Sequence, residues 1–310
     1  MRLVTFTLEA GGASGEGPAV GALLGEGTQV LDFSAALAEN KNERPMGYDQ
    51  VLRWLDLESQ WFGRARTLYD EVETNPARFE ELHEKGFIHK ISDTRPLAPV
   101  PRPGKLIAIG LNYRDHAAES NMAIPERPVV FSKFTTAVIG PGEAVVIPPS
   151  SSQVDYEAEL AVVIGRRARN VSRERALDYV LGYTNLNDVS ARDFQFADGQ
   201  WQRGKSCDTF APMGPYIATT DEIADPHILP IKLRLNGQTM QNSKTDQLIF
   251  GVQELIAFLS ETISLEPGDV IATGTPPGVG FARKPPVFLK AGDVMEVEIE
   301  GLGVLSNPLV

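Results

Sequence analysis

The chain has 310 residues, 42% hydrophobic and 23% charged, with 29 basic against 41 acidic side chains and a net charge of −12. That is a globular composition, long enough for one large domain or two ordinary ones, and its acid excess argues against nucleic acid or an anionic membrane as partner. The single cysteine, Cys207, excludes an internal disulfide framework and opposes a thiolate zinc site.

Residues 1–6 read as a strand and lack the long apolar core of a signal peptide. No apolar stretch approaches the roughly 20 residues of a membrane helix, so a cytoplasmic protein is expected. A glycine-rich turn (Gly11, Gly12, Gly15, Gly17), strands at 20–24 and 29–33, and helical patterns at 34–39 and 50–69 follow. Residues 70–90 are charged and helix-like. Four prolines within 96–103 mark 96–104 as an extended linker between a small N-terminal α/β domain (1–95) and a larger domain (105–310).

The larger part carries short β-like runs at 106–110, 129–132, 144–147, 160–164, 216–218, 232–235, 270–272 and 294–299. Helical patterns are few: after Asn112, at 173–180 and at 252–259. Many short strands with turn signals and accessory helices predict an α+β fold around a rolled or barrel-like sheet.

Within it, Asp155-Tyr156-Glu157-Ala158-Glu159-Leu160 runs into the apolar segment 161–165. If this is one strand entering a core, Asp155, Glu157 and Glu159 share a face. Carboxylates so placed are costly unless a cation sits between them. Asp188, at the end of the β-like run before Val189, is the best third ligand. Three carboxylates plus water suit Mg²⁺ or Mn²⁺. The same alternation also fits the wet face of an edge strand.

His116 and Glu119 are i, i+3 neighbours if the segment after Asn112 is helical. A carboxylate beside an imidazole fixes its tautomer and makes a general-base pair, although a plain surface pair has the same spacing. His83, His89 and His227 sit in charged or proline-flanked stretches and read as surface residues.

Gly199-Gln200-Trp201-Gln202-Arg203-Gly204-Lys205-Ser206 matches the phosphate-loop pattern. Its context fails: no apolar strand precedes it, and Pro212 and Pro215 follow where a helix should open. Lys205 remains notable as a cation available to an acidic site. The Gly/Pro-rich segment 273–280 offers Thr hydroxyls and backbone N–H groups to a small carboxylate, or is simply a tight turn.

Five separated motifs occur in order: Gly110-Leu111-Asn112-Tyr113-Arg114-Asp115-His116, the acidic strand, Asn187-Asp188-Val189-Ser190-Ala191-Arg192-Asp193, Gly204-Lys205-Ser206, and Thr273-Gly274-Thr275-Pro276-Pro277-Gly278. With them, residues 100–310 resemble the fumarylacetoacetate hydrolase family. Arg283-Lys284-Pro285-Pro286-Val287-Phe288 adds a likeness to its fumarylacetoacetate hydrolase domain-containing 2 type.

The resemblance implies a mixed β-roll core with a smaller N-terminal domain, a homodimer, and Mg²⁺ or Mn²⁺ held by Glu157, Glu159 and Asp188. Where the eponymous enzyme has a further metal-binding aspartate, this chain has Asn112-Tyr113, which resembles the acylpyruvase and oxaloacetate-active branch. It also implies His116, Glu119 and Lys205 as catalytic groups, and Gln195, Thr275 and Arg114 as contacts to a small 2-oxo acid. The expected activity is hydrolytic or lytic cleavage of acylpyruvates through a metal-stabilised enolate. The alternatives are oxaloacetate decarboxylation or keto–enol tautomerisation, and isomerisation or decarboxylation in aromatic meta-cleavage. A site with these ligands serves all of these reactions, so fold alone does not choose among them.

Overall fold

The computed structural model describes residues 1–8, 17–38, 48–119 and 123–310. Gly11, Gly12 and Gly15 of the glycine-rich turn lie outside them. At the N-terminus β1 (Arg2–Leu8), β2 (Ala19–Leu24) and β3 (Gln29–Asp32) pair antiparallel in sequence. The helices α1 (Phe33–Ala36), α2 (Tyr48–Leu55), α3 (Gln60–Thr74) and α4 (Pro76–Glu84) come next. Ser59 caps α3 by accepting from Trp61 N, and Asn75 caps α4 ahead of Pro76 at its first turn. Strands β4 (Ile88–Lys90) and β5 (Thr94–Pro96) return to β3 and β1.

The larger part contains β6 (Leu106–Gly110), helix α5 (Arg114–Glu119), β7 (Val129–Lys133), β8 (Val138–Ile139), β9 (Val154–Asp155), β10 (Ala158–Ile164), β11 (Val180–Asn187) and β12 (Ser190–Ala191). Helices α6 (Arg192–Ala197) and α7 (Gln202–Lys205) lead to β13 (Ala211–Thr219), β14 (Pro230–Leu235) and β15 (Gln238–Lys244). Helix α8 (Val252–Ser260), β16 (Val270–Ala272), β17 (Val294–Ile299) and β18 (Val304–Pro308) complete it.

One mixed sheet runs β4-β3-β2-β1-β13-β11-β10-β16-β6-β7, with β5 and β8 attached to β1 and β13. A second sheet, β15-β14-β17-β18, alternates buried and wetter residues along β14 and β17, as a one-sided antiparallel sheet does. By contrast every residue of β10 and β11 is buried, so both faces of the central strands are covered. The fold is α+β, as expected.

The boundary read at 96–104 falls between β5 and β6. The main sheet crosses it through the β1–β13 pairing, and one core cluster holds side chains from both sides. Leu97, Ala98, Pro99 and Val100 are buried, and Thr5 Oγ1 donates to Pro99 O at 2.9 Å. The proline-rich segment is therefore packed rather than a free spacer.

Two local expectations differ. Residues 144–147 make only a single bridge, Val145 with Leu309, although Val145 N and Ile147 N both donate to the segment 308–310. Residues Arg173–Tyr179 form 3₁₀ rather than α turns. Among the described residues no helix is long and apolar enough to cross a membrane.

Candidate active site

Strand directions bring four chain segments to one end of the main sheet. β16 and β6 run parallel, while β10 lies antiparallel to β16 and β11 antiparallel to β10. The C-terminal ends of β6, β11 and β16 therefore meet the N-terminal end of β10. Glu157 and Glu159 stand at the start of β10, and Asp188 follows β11, its N–H donating to Glu157 O at 2.9 Å.

One oxygen from each of Glu157, Glu159 and Asp188 lies within 4.8 Å of the others, and all three residues are buried. Asp155 does not join them, contrary to the single-strand reading. The chain breaks between β9 and β10, and the Asp155 carboxylate accepts from Gly280 N at 2.7 Å and Phe281 N at 3.1 Å. It serves the loop after β16 instead.

Three buried cations hold Asp155, Glu157 and Asp188. Lys205 Nζ bridges Glu157 Oε2 at 2.6 Å and Asp188 Oδ2 at 2.7 Å. Lys133 Nζ donates to Asp188 Oδ1 at 2.5 Å and Val189 O at 3.0 Å. Arg192 meets Asp155 Oδ2 at 2.8 Å and Glu157 Oε1 at 2.6 Å, and its Nη1 donates to Gln195 Oε1 at 2.9 Å.

Lys205 arrives on α7, which packs closely on α6. A Cβ at Gly204 would stand 2.5 Å from Gln195 N and 2.7 Å from Ala191 O. The glycine of the decoy phosphate-loop pattern thus serves helix packing, and its lysine serves carboxylates.

Burial favours protonating all these acids, but unequally. For Glu157 it is outweighed by Lys205 and Arg192, which hold the carboxyl down at about 2. Glu159 is pushed well above the carboxylate range by burial, then by Asp188 and Glu157. Among the described residues Glu159 has no ion pair, and its Oε2 accepts from Gly274 N at 2.8 Å. The 273–280 segment does hold a carboxylate through its backbone, but that carboxylate belongs to the protein. A buried unpaired acid beside two others is a hard-oxygen donor set short of positive charge, and a divalent cation fits it. Asn112 is not a fourth ligand: its side chain donates to Thr273 O and Phe250 O and accepts from Phe250 N.

A cavity of about 440 Å³ opens onto this cluster. It is lined by His116, Glu119, Glu157, Glu159, Gln195, Lys205 and Thr275, among others. His116 Nδ1 faces Glu119 Oε2 at 3.4 Å, and the Glu119 carboxylate accepts from Gly278 N at 3.1 Å. Gln241, buried on β15, accepts from Ala158 N and donates to Thr275 Oγ1 and Pro276 O, tying the acidic strand to the Thr275 loop. Arg114 lies elsewhere: it is exposed, and its Nη1 donates to Leu248 O at 2.5 Å. His227 is half-buried rather than free on the surface, accepting from Val252 N at 3.0 Å. A larger hollow of about 840 Å³ follows β7 but contains none of the acids.

Sequence reasoning missed Lys133 and the role of Arg192. The available signal was charge balance, since buried acids require buried partners. Position gave no help: Lys133 is 55 residues from Asp188, and Arg192 is 37 from Asp155.

Residues 105–310 match the family model "Fumarylacetoacetate (FAA) hydrolase C-terminal". Over 216 residues, 69% of this chain and 68% of the relative, the chain is 52% identical to "Oxaloacetate tautomerase fahd2, mitochondrial" of Xenopus laevis. It is 54% identical over 221 residues, 68% of this chain and 72% of the relative, to "Fumarylacetoacetate hydrolase domain-containing protein 2 homolog" of Dictyostelium discoideum. Fumarylacetoacetate hydrolase from Exiguobacterium antarcticum superposes with a TM-score of 0.77 at 32% identity, covering 100% of this chain and 99% of that one. The 5-carboxymethyl-2-hydroxymuconate delta-isomerase of Mycobacterium smegmatis gives 0.74 at 35% identity, with the same coverage. Motif order, site geometry and these likenesses agree, and the chain belongs to the fumarylacetoacetate hydrolase family.

Proposed function

We propose that the chain is a metal-dependent keto–enol tautomerase of oxaloacetate, with Mg²⁺ or Mn²⁺ at Glu157, Glu159 and Asp188. The observation that carries this reading is the pairing of a buried carboxylate cluster with a His–Glu pair in one cavity, in a chain about half identical to proteins named oxaloacetate tautomerase. The cation, when bound, supplies Lewis acidity toward the oxygens of a 2-oxo acid.

The chain's own residues supply the rest. Glu119 accepts from His116 Nδ1–H, which leaves Nε2 free to take a proton from the substrate C3. Lys205 stands beside the developing enolate oxygen as counter-ion. Gln195, held by Arg192, and Thr275, held by Gln241, orient the substrate. Return of the proton to C3, or its delivery to the oxygen, completes the interconversion.

Acylpyruvate cleavage is the second reading, favoured by the same His116–Glu119 pair, because a base that reaches C3 can also activate water. NMR of oxaloacetate and acetylpyruvate with Mn²⁺-loaded and Mg²⁺-loaded protein separates the two. Accelerated keto–enol exchange of oxaloacetate without loss of CO₂ is expected. Acetylpyruvate cleavage with no effect on oxaloacetate exchange would replace the first reading with the second.

The homodimer and the cytoplasmic setting belong to this proposal. Val129 and Val130 are exposed along β7, an edge of the main sheet, which supports self-association there. Light scattering on the purified chain tests the dimer. Relatives from Xenopus laevis and Homo sapiens carry "mitochondrial" in their names, so fractionation of the source cell tests the setting.

A further inference from the structure

The cavity is larger and more aromatic than oxaloacetate requires. Its volume of about 440 Å³ lies within the roughly 300–1,000 Å³ of sites for much larger ligands. Two ring pairs line it, and each begins at a cation of the acidic cluster. Lys205 Nζ stands 5.1 Å from the centre of Phe131, whose ring meets Trp201 edge-on at 5.4 Å. Arg192 Cζ stands 4.5 Å from the centre of Phe281, whose ring meets Phe196 at 5.8 Å.

The outer rings are not core residues. Phe196 is 58% exposed and Trp201 is half-buried. The backbone makes room for Trp201: a Cβ at Gly110 would stand 2.6 Å from its ring. Among the described lining residues the only ammonium and guanidinium are Lys205 and Arg192, both engaged by Glu157 and its neighbours. Among the described residues the aromatic end of the lining is ring surface, with no ammonium or guanidinium of its own.

We propose that the site also takes 2-oxo acids bearing an aryl group on C3, and interconverts their keto and enol forms. This rests on the tautomerase reading and extends its substrate class. In the step, the C3–H bond breaks and its proton passes to His116 Nε2. The electron pair becomes the C2=C3 bond, the C2=O π pair moves to oxygen, and oxygen takes up a proton. Nothing is oxidised or reduced, and no co-reactant is consumed. The aryl enol is planar and conjugated, whereas the keto form is bent at C3. A cavity lined by four aromatic rings offers the extended, conjugated enol more aromatic contact than the bent keto form, and so favours the enol-like transition state.

The test compares phenylpyruvate with oxaloacetate on the Mn²⁺-loaded full chain, following enol absorbance, for the wild type, Trp201→Ala and Phe196→Ala. Phenylpyruvate is expected to be turned over at a kcat/KM at least comparable with that of oxaloacetate. In either variant the phenylpyruvate-to-oxaloacetate ratio of kcat/KM is expected to fall about tenfold or more. Phe196 is on the surface, so its truncation leaves a folded protein to measure.

Binding of benzoylformate, an aryl 2-oxo acid that cannot enolise, gives a readout independent of turnover. Calorimetry is expected to show its affinity weakened about tenfold by Trp201→Ala. An unchanged ratio in both variants, or phenylpyruvate turnover under about a hundredth of that with oxaloacetate, overturns the proposal. Activity on phenylpyruvate alone keeps it and overturns the oxaloacetate assignment. Activity on neither overturns both.

Discussion

Glu157 and Glu159, two residues apart, are driven in opposite directions. Both are buried, but Lys205 and Arg192 hold Glu157 ionised, while burial together with Asp188 and Glu157 keeps Glu159 protonated well above the usual range. An unfolded glutamate gives up its proton near pH 4.3. Because the folded pKa of Glu159 is raised, its contribution to stability is full below that pH and is lost as pH rises toward the folded value.

Glu159→Gln is therefore expected to raise the melting temperature of the metal-free protein at neutral pH while abolishing Mn²⁺ binding by calorimetry. A lower melting temperature would show that Glu159 is not the strained acid. Glu157→Ala has the opposite effect on stability. It strips a partner from each of two buried cations and should cost about 3–5 kcal/mol in urea unfolding, with loss of activity. At this scale the sequence was legible where spacing carries meaning. Alternation placed Glu157 and Glu159 together, and i, i+3 spacing paired His116 with Glu119. It was silent on Lys133, whose only link to Asp188 is tertiary.

Among the elements, short strands with strong apolar runs were readable, and β6 and β16 have the expected bounds. What failed was continuity. The acidic motif reads as one strand, yet a break at Tyr156–Glu157 turns Asp155 toward the 280–281 amides, because the buried Gly280 N–H and the half-buried Phe281 N–H need an acceptor. Strand β15 was not anticipated, since its Gln238–Lys244 sequence is polar, yet it carries Gln241. Gln241→Leu leaves Ala158 N without its acceptor and Thr275 without its donor. A loss of about 2–3 kcal/mol is expected in urea unfolding, with a higher KM for the 2-oxo acid from a displaced Thr275. An unchanged KM would mean that Thr275 is placed by its loop alone.

For the molecule as a whole, composition and motif order made the fold class legible, but the joining of its two parts was not. A run of prolines signals a linker only if it stays in water, and here Leu97 through Val100 sink into the core beneath a sheet shared by β1 and β13. A single cooperative thermal transition is therefore expected by calorimetry, with no separate melting of residues 1–95. Cation binding to the folded state alone should raise stability by about 2.7 kcal/mol at a hundredfold excess over Kd, and chelator should remove that gain. A melting temperature indifferent to chelator would argue against a buried metal centre.

The convergence of four strand ends bears on how this protein is made. The N–H groups that receive Glu159 and Glu119 belong to Gly274 and Gly278, more than 110 positions beyond the acidic strand. A chain emerging from the ribosome thus carries its carboxylates long before it carries their donors. Translation that stops short of that loop leaves Glu159 and Glu119 without these backbone donors, although Lys133, Arg192 and Lys205 are already present to hold Glu157 and Asp188. A chain ending before Gly274 also lacks β17 and β18, half of the second sheet, and is expected to be recovered unfolded rather than as a weakened enzyme, which circular dichroism of the truncated protein checks.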